Sequence, residues 1–175
     1  LKKSANEHLG NCDLLVSSGF RYFNSSLTKK IETNTGNKSV AVLEISGYCQ
    51  NFSTGITALN TKIFGINPDY FPFQGIDSIL IPPGNVAINQ NLAQHLNINT
   101  GDDIIVHFKE VTPIPANAPF AVSEPNGGTK VLKVSNILRS DQSGNFALGI
   151  SQIVPMNVFI NFSDLTSDSN SPSKV

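Results

Sequence analysis

The stretch that most constrains this chain is residues 84–108, GNVAINQNLAQHLNINTGDDIIVHF. It follows the turn dipeptide Pro82-Pro83 and offers a short apolar strand at Val86 to Ile88. Asn89 then stands where the N-cap of a short helix belongs, its side chain able to accept from a first-turn amide. Leu92 and Leu96 fall four apart and share one helix face. After Asn97 the helix-stop chemistry lies in Asn99, Thr100 and Gly101, and the β-branched run 102–108 returns as a strand. Strand, helix, Gly-Asp turn and strand thus form one compact unit that the remaining elements must cover.

Before that unit, DLLVS at 13–17 reads as a first strand. Asn24 or Ser25 caps a predicted helix through Leu27, Lys30 and Ile31, with Leu27 and Ile31 on one buried face. NTGN at 34–37 closes the helix, and the aliphatic run 40–46 predicts a central strand, so the opening reads as β-α-β. From Thr57 the pattern alternates, with Leu59, Thr61 and Ile63 against Asn60 and Lys62, as in a half-solvated strand. Pro68 and Pro72 end that strand, and Tyr70, Phe71 and Phe73 are placed as plugs over the core edge, or secondarily as a ligand-facing aromatic group.

After Phe108 a segment at 112–129, TPIPANAPFAVSEPNGGT, predicts a long arm between two strand-like runs, 104–108 and 131–138. Ile114 and Phe120 are its candidate contacts, either with a partner or folded back on their own sheet. The run 131–138 alternates Leu132, Val134 and Leu138 inward. Residues 140–145 read as turns, 154–162 as a last apolar strand, and Ser163 to Leu165 as the start of a helix. A polar tail at 166–175 has no core-forming residues.

The chain has 175 residues, 39% of them hydrophobic and only 14% charged, with a formal net charge of -1. About 25% charged residues is usual, so Asn, Ser and Thr supply this surface's polarity. A charge near zero argues against nucleic acid as a partner. No apolar run is long enough to span a bilayer. The start at Leu1 without a signal segment reads as a piece excised from a longer protein. Cys12 and Cys49 form one bridge in an oxidising compartment or stand as two buried thiols.

The sequence offers no catalytic, cofactor-binding or metal-binding residues. GxxxxGK[ST], GxSxG and HExxH are absent. His8, His95 and His107 lie in unrelated contexts. Asp102 and Asp103, adjacent in a turn, point apart and make a poor carboxylate pair; Asp102 is expected to cap turn amides.

Four runs in order, IFGINPDYF at 63–71, the unit at 84–108, VLKVSNILRSD at 131–141 and VFINFSDL at 158–165, resemble the extracytoplasmic core domain of MacB/FtsX-like ABC transporter permeases. GNCDLLVSSGFRYF at 10–23 also resembles the segment after the first membrane helix in that family. The resemblance implies an α+β fold of mixed sheets with few short helices in two small lobes. A porter-like β-α-β lobe would occupy 1–56, and a small α/β-rich lobe bearing the 112–129 arm would occupy 57–165. It further implies a permease of the inner membrane, with this domain on the periplasmic side. A cytoplasmic ATPase would drive it through the membrane helices, and a periplasmic protein or lipoprotein would be its substrate. The domain itself would be non-catalytic and without cofactors.

Family domains usually add a helix and strand that return to the membrane, whereas this chain ends in the tail after Leu165, so the first lobe is expected to be truncated or to close differently. Two rival readings stand. The helix from Ala93 to Leu96 followed by Gly101 to Ile104 also resembles half of a double-psi β-barrel, a substrate-recruiting or cofactor-binding module, but that fold needs a second half. A secreted cysteine hydrolase using Cys12 or Cys49 is the enzyme alternative.

Overall fold

The computed structural model describes residues 10–16, 26–109, 127–148 and 154–166. Its elements are α1 (Leu27–Thr35), β1 (Val42–Asn51), β2 (Thr57–Ile66), α2 (Tyr70–Phe73), β3 (Asn85–Asn89) and α3 (Gln90–Leu96). They continue as β4 (Asp103–Lys109), β5 (Gly127–Leu138), a 3-10 turn (Ser140–Gln142), β6 (Asn157–Asn161) and α4 (Phe162–Thr166). The six strands close into a barrel in the order β1-β2-β6-β3-β5-β4. The mixed sheet and few short helices agree with the sequence reading, but closure into one barrel was not anticipated.

Two ladders, β2 with β6 and β3 with β5, are parallel; the other pairs are antiparallel. Adding three to each strand number maps this pattern onto itself. The β1–β2 pair becomes β4–β5, both antiparallel, and β2–β6 becomes β5–β3, both parallel. The β3–β6 and β1–β4 pairs map onto themselves. The barrel therefore consists of two topologically equivalent halves around an internal two-fold axis. One trace survives in sequence: NVAIN in β3 matches NVFIN in β6 except at the centre, Ala87 against Phe159. That pair is also the centre of the β3–β6 register, Val86 facing Ile160 and Ile88 facing Val158. Each strand ends in an Asn that accepts from the following helix, Asn89 from the Leu92 amide and Asn161 from the Ser163 amide, both at 3.1 Å.

Because strand side chains alternate, the two faces of the barrel wall bury different residues. Ile45, Cys49, Ile63, Val86, Ile88, Ile104, Val106, Val134, Val158 and Ile160 make the interior cluster, with Leu92 and Leu96 of α3 packed into it. Phe64, Ala87 and Phe159 point outward from β2, β3 and β6 into a second cluster, where Tyr70, Phe71, Ile79, Ile81 and Phe146 cover them. Strands buried on both faces read as unbroken apolar runs, which is why β3 and β6 show almost no alternation. Tyr70 and Phe71, 1% and 2% exposed, are the expected plugs; they sit on the one-turn helix α2.

Several expectations are corrected. Residues 13–16 form no strand, and Leu14, Leu15 and Val16 are 80%, 41% and 56% exposed; Ser17 lies outside the described residues. Every stave of a closed barrel already has two neighbours, so no edge remains for another strand. The expected β-α-β opening is accordingly a helix followed by β1. That helix, α1, buries none of its residues, Leu27 and Ile31 included. It leans on the segment that follows, Ser39 Oγ donating to the Thr28 carbonyl at 3.1 Å and the Ser39 amide to Glu32 Oε1 at 2.9 Å. Its N-cap is Ser26, without a side-chain cap bond, and Gly36 at φ 71° closes it.

Leu59, expected inside, is 66% exposed, and Ala58 is buried in its place. Two residues of β2, Leu59 and Asn60, stand opposite the single Tyr48 of β1, and Asn60 has φ 59°. Such a bulge reverses the facing of every residue before it. The expected boundary after residue 56 falls in the connection of the β1–β2 hairpin, and β1 itself pairs with β2 and β4.

Candidate functional site

Among the described residues, the cover over β2, β6 and β3 leaves the outer face of β1, β4 and β5 open. Two rows of paired residues cross it, Tyr48–His107–Thr129 and Gln50–Ile105–Val131. The Tyr48 and His107 rings stack at 4.2 Å with 12° between their planes, and His107 Nδ1 lies 2.9 Å from Thr129 Oγ1. Tyr48 is 42% exposed and Val131 is 55% exposed, and the bulge puts Leu59 beside Tyr48. Lys133 and Asp103, 3.0 Å apart, border the face. An aromatic stack among aliphatic and polar side chains can bind by apolar contact and stacking.

The unit at 84–108 forms as its sequence predicts. Asn89 is fully buried and caps α3, and Asn97 closes the helix in the left-handed conformation at φ 52°. Asp102 Oδ2 accepts from the Asn99 amide at 2.8 Å, the expected turn cap. The turn is tied to β5 through Gly101 N to Val134 O and Val134 N to Asp102 O, at 2.8 and 2.9 Å. Asp103 is drawn off to Lys133, so the two adjacent aspartates form no pair.

The 112–129 arm is bounded by a real hairpin, with β4 and β5 paired from Asp103 opposite Lys133 to Lys109 opposite Gly127. Residues 127–129 belong to β5 itself. Ile114 and Phe120 lie outside the described residues, as does His8. His95 is exposed on α3, with Nε2 3.3 Å from the Thr57 carbonyl oxygen. Among the described residues, no group of three or more His, Cys, Asp or Glu could hold a metal.

Both cysteines are free; Cys12 is half-buried and Cys49 fully buried. Burial pushes the Cys49 thiol up to about 12, and the neighbouring Thr61 hydroxyl offsets only part of that. Such a thiol holds almost no thiolate near neutrality, the opposite of what a cysteine nucleophile requires. Cys12 Sγ donates to the Leu14 carbonyl at 3.2 Å, a local contact within its own segment.

Sequence reasoning missed the Tyr48–His107 stack. Its signal was the alternation Ser46, Tyr48, Gln50 along the second half of β1, all outward, but the pairing partner on β4 is set only by barrel closure.

No protein-family model matches the chain, and no curated protein matches it. Among solved structures, the periplasmic region of MacB from Actinobacillus actinomycetemcomitans is similar, with a TM-score of 0.44 and 13% identity. The match covers 84% of this chain and 60% of that one. This is a weak structural similarity. Among the described residues, no helix is long and apolar enough to cross a membrane.

Proposed function

We propose that this chain is an extracytoplasmic domain of a MacB/FtsX-like ABC permease, a binding and mechanical element without chemistry of its own. Its function would be to couple cytoplasmic ATP hydrolysis to the handling or release of an envelope substrate, or to a periplasmic partner. The observation that carries this is the path of the chain through the barrel, taken with the order of the four sequence motifs. The chain enters the barrel at Val42, level with Ile66, and Ile66 is level with Asn161, where the last strand ends. β1, β2 and β6 are consecutive staves, so the points where the chain enters and leaves lie about 10 Å apart, two strand spacings, at one end. A domain carried between two membrane helices needs that arrangement.

The test is purification of the parent protein in mild detergent. The proposal expects an ATPase with a phosphate-binding loop to co-purify and its ATP hydrolysis to change when this domain is deleted. Hydrolysis unaffected by the deletion would overturn it.

The internal two-fold favours a second reading, because the half-barrel at 84–108 has the second half that a double-psi-like substrate-recruiting module requires. That reading expects a domain that binds its client without any membrane-embedded neighbour in the same chain.

A further inference from the structure

We propose that the open face of β1, β4 and β5 is a self-association surface, on which a second copy of this chain docks to form a reversible two-fold dimer; this goes beyond the permease reading and does not depend on it. Three observations carry it. The first is closure. Every stave of the barrel has two neighbours, so a second copy finds no strand edge to extend and can be joined only through a face. The exterior of β2, β6 and β3 is already taken by Tyr70, Phe71, Ile79, Ile81 and Phe146. The second is apolar area. Tyr48, Leu59 and Val131 lie on the open face, with half-buried Ile105 between Gln50 and Val131. Phe52, 57% exposed, extends it at the Asp103–Lys133 end, where its amide donates to the Asp103 carbonyl at 3.2 Å. At roughly 100 Å² for each half-exposed large side chain, Tyr48, Phe52, Leu59 and Val131 together expose about 400 Å², inside the range of a soluble protein's largest and often functional patch.

Two copies joined by this face would remove about 800 Å² of apolar surface, and with apolar atoms making up roughly 60% of an interface the total is about 1,300 Å². That clears the ~1,000 Å² expected of a specific interface and falls short of the ~1,600 Å² of a standard one, which sets the association at the weak end and leaves each face open to solvent in the dissociated fraction. The third observation is charge. Among the described residues, the charges on and around the face cancel: Lys62 pairs with Glu44 and Lys133 with Asp103, while Asp102 and Lys109, at the two ends of β4, are of opposite sign. Lys130 stands opposite Val106 and shares the inward parity of Leu132, so it lies off the face. A partner selected by charge needs an unbalanced face to read. An isologous contact needs only a face complementary to itself, and a neutral apolar face with its ions paired within each copy meets that condition without burying a bare charge.

The experiment is sedimentation velocity of the 175-residue chain over a rising concentration series. The expected result is an average mass that climbs from 18.8 kDa towards twice that value, and does so equally when salt is raised, because no net charge meets across the contact. Val131→Glu sets two like charges on facing surfaces and should hold the chain at 18.8 kDa throughout. Tyr48→Ser removes apolar contact without adding charge and should weaken association about tenfold. Leu80→Glu, at an exposed position on the covered side of the barrel beside Ile66 and Pro68, should leave it unchanged. Circular dichroism of each variant separates loss of association from loss of fold. A mass that stays at 18.8 kDa at every concentration would overturn the proposal and leave the face to a different protein or to the chain's own segment at 110–126. Association that survives Val131→Glu, or that Leu80→Glu abolishes equally, would overturn it as well. Labelling of the parent from outside the cell decides the permease reading by itself, so the two can fail separately.

Discussion

Replacing Asn89 by Ala tests the centre of the fold. Asn89 Oδ1 accepts from two buried amides, Leu92 and Asn157, each at 3.1 Å, and its Nδ2 donates to the Pro155 carbonyl at 2.6 Å. It thereby ties the α3 cap in one half of the barrel to the start of β6 in the other. Alanine leaves both amides in a fully buried place, at roughly 1–3 kcal/mol each. The Pro155 carbonyl retains a longer contact from Asn91 Nδ2 at 3.4 Å and adds little. The expected loss is about 4 kcal/mol, against a total stability on the order of 5–15 kcal/mol for such a domain. At about 2–4 °C per kcal/mol the melting temperature should fall by roughly 8–16 °C. Urea titration followed by circular dichroism measures the loss, with an unchanged slope showing that both states keep their compactness. The two-fold mate is the control: among the described residues Asn161 bonds only Ser163, at an exposed helix start, so Asn161→Ala should cost under about 1 kcal/mol. Equal effects at the two positions, or a loss below about 1 kcal/mol at Asn89, would refute the argument.

Gly47→Ala should destabilise by about 3 kcal/mol, because a Cβ there would meet the His107 carbonyl oxygen and Ile63 Cδ1, neither of which can yield without moving β4 or the core; urea titration checks it. Under native conditions a thiol reagent should modify half-buried Cys12 quickly, and Cys49 only at the rate of unfolding, which mass spectrometry of timed samples resolves. The Cys49 thiol is raised from 9.0 to about 12 in the fold, so its stabilising contribution is complete below pH 9 and is lost as pH climbs towards 12. The loss is about 4 kcal/mol at about 1.4 kcal/mol per pH unit, Tyr70 acts in the same direction through burial, and a Cys49→Ala variant should show a shallower alkaline decline.

What was legible in the sequence was local. Asn89, Leu92, Leu96 and Asp102 announce their roles through capping chemistry and helical spacing, which act within a few residues, whereas the left-handed cap falls on Asn97, ahead of the expected stop at 99–101. What was not legible depended on closure. The exposed DLLV run at 13–16 has the composition of a strand, but the barrel offers it no edge. Leu59 has the right parity for the core until the bulge at Asn60 reverses it. The second half of the barrel was hidden because the two halves share little beyond the NVxIN strands, and their equivalence lies in which strands pair. The Tyr48–His107 stack depends on the β1–β4 ladder, between strands far apart in the chain. The residues singled out for partner contact, Ile114 and Phe120, lie outside the described residues.

The most direct test of the functional account is the location of this domain in its parent. Tyr48, Leu59 and Val131 all lie on the open face, and Leu59 is the most exposed of them. A Leu59→Cys variant of the full-length parent that also carries Cys12→Ser, in intact cells, should react with a membrane-impermeant maleimide added from outside, while buried Cys49 stays unlabelled. Labelling only after the inner membrane is permeabilised would place the domain in the cytoplasm and contradict the account.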